Sequence, residues 1–203
     1  MTHMLSWFAA IFILLASTGA LINRDWRVQL GALAAQYLAA FWLINQHLPF
    51  AMGAAKLVTG WMVVAALGMT RLSLATHVDE KDESFGTRGR SFPIVLAGVV
   101  ALVTAGATPR IEAIIPGLGL QVIAGSLLLM GMGLIHLGLT SNVFHVLLGL
   151  LTMLTGFEII YAAVESSILV AGLLALTNLG LALVGSYLLI ADYSSKPIFE
   201  EQQ

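Results

Sequence analysis

A polytopic bundle of membrane-spanning α-helices is the fold class this sequence predicts, and three observations carry the prediction. Of the 203 residues, 59% are hydrophobic and 10% charged, and the mean hydropathy is +0.93. Soluble domains carry about 25% charged residues and about 45–50% apolar ones. Apolar windows of about 20 residues, the length needed to cross a bilayer, recur seven times along the chain. The few charges fall in alternate breaks between those windows. This composition excludes a disordered chain, which would be polar and charged. With a formal net charge of -2 and no extended basic cluster, it also excludes a nucleic-acid partner. The solvent implied is the lipid bilayer.

Taken in order, the first span is Leu5–Ile22. No basic residue precedes it and Arg24 and Arg27 follow, which suits a retained helix starting outside rather than a cleaved secretory signal. The second and third spans are Val28–Ile44 and Phe50–Thr70, separated by the polar break Asn45–Pro49. A longer break, Arg71–Ser91, leads to the fourth span, Phe92–Thr108, which is short and rich in Val, Gly and Ala. It ends at the loop Pro109–Pro116; were it re-entrant, six spans would remain. The last three, Gly117–Leu139, Val143–Val164 and Ile168–Ala191, are divided by the turns Thr140–Asn142 and Glu165–Ser167.

Seven spans place Arg24, Arg27, Arg71, Lys81, Arg88, Arg90 and Lys196 on one side and only Arg110 on the other. The positive-inside rule then sets the amino terminus outside and the carboxyl terminus in the cytoplasm, in the cell's inner (plasma) membrane. The chain reads as one membrane domain over 1–203. Its parts are a first three-helix unit at 1–70, a loop, fourth helix and outer loop at 71–116, a second three-helix unit at 117–191, and a cytoplasmic tail at 192–203. The run Asp79–Glu83 reads as a solvated loop rather than a cation site.

An ionisable group in hydrocarbon costs roughly 2.5–3.5 kcal/mol on insertion scales, so each one needs a partner or a purpose. Two such groups stand out. Lys56 lies about six residues into the third span from its outer end, and Glu158 about six residues short of the outer end of the sixth. Their matching depth permits an ion pair. Such a pair can lock two helices together or lie on a proton or cation path; alternatively Lys56 snorkels outward. His136 and His145 flank the inner turn between the fifth and sixth spans and can approach across it. Paired histidines can ligate haem, but nothing else marks a haem pocket, and ordinary hydrogen bonds are the simpler expectation. Gln36, Thr155, Thr177 and Asn178 lie mid-span, where polar groups bond across helices.

With no cysteine, the chain offers no disulfide, thiolate zinc site, iron–sulfur cluster or cysteine nucleophile. It carries no His-Glu-x-x-His, Gly-x-Ser-x-Gly, phosphate-binding loop or dinucleotide fingerprint. No catalytic residue, metal ligand or cofactor is expected. Twenty glycines, among them Gly131, Gly133, Gly149 and Gly156, predict close helix packing, with partner subunits as candidates for the remaining faces.

The two three-helix units also read alike. Arg27-Val-Gln-Leu-Gly-Ala-Leu-Ala-Ala-Gln36 in the first corresponds to Val143-Phe-His-Val-Leu-Leu-Gly149-Leu-Leu151 in the second, and both units start outside and end inside. This permits a parallel repeat. The inner turn Thr140-Ser141-Asn142, the stretch His145-Val-Leu-Leu-Gly149-Leu-Leu-Thr-Met153 and the segment Gly156-Phe157-Glu158-Ile159-Ile160 carry a family likeness. Over about residues 119–191 the chain resembles the small K-type membrane subunit of respiratory complex I. It is also similar to that subunit's relatives in group 4 hydrogenases (component E type) and Mrp-type antiporters (C subunit). Gly156–Ile160 matches the family's glutamate-bearing segment in residue type, while Thr177 and Asn178 stand where complex I subunits carry a second glutamate. The resemblance implies a non-catalytic membrane-arm subunit packed against a large antiporter-like subunit, with Glu158 on a proton or cation route. Two rival readings are a stand-alone small transporter, its cavity lined by Lys56 and Glu158, and a scaffold or assembly subunit of another bioenergetic complex.

Overall fold

Inside hydrocarbon a backbone N–H has no water to bond, so a spanning segment must satisfy its own polar groups, and the α-helix does so within one segment. The computed structural model describes residues 2–23, 25–75, 91–165 and 167–195, which form seven helices and no strand. They are α1 (Thr2–Ile22), α2 (Trp26–Ile44), α3 (Phe50–Ala75), α4 (Ser91–Ile114), α5 (Leu120–Leu139), α6 (Val143–Val164) and α7 (Ile168–Ser195). Six of the seven, α2 to α7, are long and apolar enough to cross a membrane; the described apolar stretch of α1, Ser6–Ile22, is shorter. The acidic run Asp79–Glu83 and the cations Arg24, Lys81, Arg88, Arg90 and Lys196 lie outside the described residues.

Two turn residues fix where α2 and α6 begin. Asp25 accepts a hydrogen bond from the Arg27 amide at 2.8 Å, and Asn142 accepts one from the Phe144 amide at 2.9 Å. Each side chain thus meets an amide that has no partner within its helix.

The fourth helix departs from expectation. Its span is expected to end at Thr108, yet α4 continues through Pro109 to Ile114 and is 24 residues long. The missing N–H frees the Ala105 carbonyl, and proline is tolerated inside membrane helices because neighbouring groups re-satisfy such freed carbonyls. The chain turns later. Both Glu112 carboxylate oxygens accept backbone amides, from Gly117 and Gly119, each at 3.1 Å. Those residues have φ of +97° and +83°, a region glycine enters without strain. The break therefore moves to residues 115–119, and α5 starts at Leu120 rather than Gly117.

The helices form two rows. α1, α2 and α3 stand side by side, α5, α6 and α7 stand behind them, and α1 packs on α5, α2 on α6 and α3 on α7, while α4 closes the α1–α5 edge. One end of the bundle holds the α1–α2 and α5–α6 turns, the other the α2–α3 and α6–α7 turns. Two large apolar clusters fill the interior, and a smaller one joins Leu21, Ala97, Met132 and Ile135. Of the large ones, one joins Ile13, Leu43, Leu129 and Ile159. The other joins Leu33, Val63, Leu67, Phe144 and Leu151 towards the α1–α2 end. Large apolar side chains of α4 and α7, such as Leu102, Leu169 and Leu183, point outward. That apolar exterior suits lipid.

Candidate functional site

The third helix carries its polar residue between two glycines. Gly53 and Gly60 are two turns apart, and Lys56 lies between them on the same side of α3. A side chain at 60 would collide with the Tyr37 ring of α2, and one at 53 would press on Phe41 and Asn45. Bare backbone at both positions draws α3 against α2 and seats Lys56 in the seam.

Across that seam stands Glu158 of α6. Lys56 Nζ lies 3.6 Å from Glu158 Oε2, and the two side chains are 8% and 5% exposed. From α7, Asn178 Nδ2 donates a hydrogen bond of 2.7 Å to Glu158 Oε1. The carboxylate thus has a cation on one oxygen and an amide on the other, drawn from three helices. Removing two charges from water costs several kcal/mol per ion, offset only by mutual attraction and further hydrogen bonds. Tyr37 adds a fourth helix, its Oη beside Thr155 and near Glu158. What the arrangement offers chemically is a buried group able to hold or release a proton, with a cation opposite. Among the described residues, no three His, Asp or Glu side chains converge to hold a metal.

Two further polar layers lie along α2 and α6. Gln36 Nε2 donates to Ser17 Oγ of α1 at 2.9 Å, and its Oε1 accepts from Thr152 Oγ1 of α6 at 3.1 Å. Nearer the α1–α2 end, Gln29 Nε2 donates to the Asn23 carbonyl at 2.7 Å and meets His145 Nε2 at 3.0 Å. Gln29 and Gln36 are seven residues apart, as are His145 and Thr152. Since α2 and α6 run in the same direction, equal spacing brings both pairs into register.

Of the residues expected to matter, Lys56, Glu158 and Asn178 come together. Gln36 occupies the middle layer and His145 the end layer. His136 stands apart, its Nδ1 3.3 Å from its own helix's Met132 carbonyl and its Cβ against Gly149. Thr155 and Thr177, expected to bond across helices, donate within their own helices instead. Thr155 Oγ1 donates back to the Leu151 carbonyl at 2.7 Å and Thr177 Oγ1 to the Leu173 carbonyl at 2.9 Å. A hydroxyl four residues along a helix reaches that carbonyl directly, which satisfies it without a neighbour. Ser17, Gln29, Tyr37, Asn45 and Thr152 were not singled out by their sequence context. The matched spacing of seven was the available signal for Gln29 and Thr152. Comparison with protein-family models, curated proteins and solved structures finds no match to this chain.

Proposed function

We propose that the chain is a non-catalytic, multi-pass subunit of a complex-I-like, membrane-hydrogenase or Mrp-type assembly. In this reading it sits in the inner membrane with its amino terminus outside and packs against a large antiporter-like subunit. It lends the Lys56–Glu158–Asn178 group to a proton or cation route. The observation that carries the reading is that group itself: a carboxylate, a lysine and an amide buried together within the bundle. An ionisable residue inside the membrane is costly, and such residues mark ion and proton pathways.

Replacing Glu158 with Gln keeps the shape and the Asn178 contact while removing the charge. Expressed with its neighbouring subunits, Glu158→Gln is expected to assemble normally and to lower coupled ion transport severalfold. An unchanged transport rate with reduced assembly would overturn the path. Purification from native membranes is expected to bring the antiporter-like subunit with it. A monodisperse single chain that transports ions in liposomes would instead make it a stand-alone transporter.

A further inference from the structure

Several polar atoms in and around the ion pair make no hydrogen bond within the protein. Lys56 Nζ, Tyr37 Oη, Asn178 Oδ1 and Asn45 Oδ1 are all buried without a hydrogen bond. The ammonium stands 3.6 Å from the carboxylate, beyond the roughly 2.7–2.9 Å of a charge-assisted hydrogen bond, so none of its three protons is satisfied by protein. Buried polar groups are nearly always satisfied, and the exceptions point to an unseen water or ion. These four suit water, which both donates and accepts: the lysine only donates, the two amide oxygens only accept, and the phenol does both. A contact longer than about 3.5 Å between polar groups is where a bridging water is expected.

Their placement has a direction. Asn45 Oδ1 lies against Gly53, one turn from Lys56 towards the α2–α3 end, and the next residues, Gln46 and His47, are exposed. Towards the other end, Leu33, Val63, Leu67, Phe144, Leu148 and Leu151 are buried and offer nothing for water to bond. We propose that a short file of water molecules fills the seam from Asn45 past Lys56 to Tyr37 and Asn178, hydrating the Lys56–Glu158 pair from the α2–α3 end only. The file requires neither a partner subunit nor transport activity, so it stands or falls apart from the function proposed above.

Radiolytic labelling of the full chain in native membranes tests it, because hydroxyl radicals formed from bound water oxidise the side chains beside it. Tyr37 is 4% exposed and Phe144 is fully buried, while His47 is exposed on the α2–α3 turn, which supplies a dry and a wet reference in one molecule. Tyr37 is expected to label severalfold faster than Phe144 and at a rate approaching that of His47. Labelling as slow as that of Phe144 would show a dry seam and overturn the file. Asn45→Leu puts an apolar group at the entrance without removing a hydrogen bond of that side chain. It is expected to bring Tyr37 down towards the Phe144 rate and leave His47 unchanged. Persistent labelling of Tyr37 in that variant would overturn entry past Asn45. A dry seam together with transport-dead Glu158→Gln would leave the subunit reading standing without the water.

Discussion

Helix α6 holds the bundle together on one face and carries its charge on the other. Gly149 and Gly156 face α5, whereas Leu151 and Glu158 lie two positions further on, about 200° around the helix. On the α5 face the two backbones nearly touch. A Cβ at Gly133 would lie 2.7 Å from the Gly149 carbonyl oxygen, and one at Gly156 would lie 2.7 Å from that of Ser126. Ser126 Oγ closes this contact with a 2.7 Å hydrogen bond to the Gly156 carbonyl. The opposite face meets α2, α3 and α7 through long side chains whose polar ends are only partly matched. Lipid tails are as apolar as leucine, so helices in a bilayer gain little from the hydrophobic effect and depend on close packing. Adhesion therefore concentrates where residues are small, which leaves the other face free to carry a charged pair.

The sharpest way to break this division is to unpair the charges. Lys56→Met leaves Glu158 buried beside Asn178 alone, and removing one partner of a buried ion pair costs about 3–5 kcal/mol. Glu158→Leu is expected to cost less, because a lysine this close to a helix end can extend its ammonium to the interface. The double variant Lys56→Met/Glu158→Leu is expected to recover most of the loss, since apolar replacements of a buried pair are often neutral. Thermal unfolding of all three in mild detergent measures the coupling. Additive losses would show that the two groups stabilise the bundle independently and that the seam is not organised around the pair.

The packing face predicts a smaller effect of a different kind. In Gly156→Ala the new methyl meets the Ser126 carbonyl oxygen at 2.7 Å and the Met130 nitrogen at 2.8 Å, both backbone atoms that cannot swing aside. Overpacking of this sort costs about 1–3 kcal/mol. Gly31→Ala makes the contrast, because nothing lies within 4 Å of a Cβ there. It is expected to be neutral or to stabilise by about 0.5–1 kcal/mol through the helix preference for alanine. Equal unfolding temperatures for the two variants would remove the distinction between the adhesive face of α6 and the rest of the bundle.

Much of this architecture is legible before any fold is seen, for reasons that differ between its parts. The bounds of α6 follow from Asn142 and Glu165, polar residues set directly against an apolar run. Those of α4 do not, because Pro109 opens what reads as a break while the helix runs through it to Ile114. Lys56 and Glu158 stand out because charge is rare in the spans, and their equal depth makes a pair conceivable. Tyr37 and Asn45 do not stand out: an aromatic within an apolar run reads as core, and an amide at a helix end reads as a cap. Their place beside Lys56 depends on Gly53 and Gly60 drawing two helices together, a relation between segments rather than a property of either.

The middle layer gives the finest test of whether polar contacts in this bundle act as adhesive or as part of the seam. Gln36 reaches Ser17 on α1 and Thr152 on α6, so Gln36→Leu removes two interhelical bonds at once. Hydrogen bonds between membrane helices average about 0.6 kcal/mol in measured cycles, so the loss is expected near 1 kcal/mol. It is held that low because the freed hydroxyls of Ser17 and Thr152 can each turn to a carbonyl of their own helix, as Thr155 already does. Thermal unfolding reads the stability, and radiolytic labelling of Tyr37 reads the seam. A loss of about 1 kcal/mol with Tyr37 labelling unchanged would make the Gln36 layer a clamp between rows, separate from the Lys56 seam one layer away. A change in Tyr37 labelling would join the two layers into one continuous polar track and move the boundary of the seam towards the membrane centre.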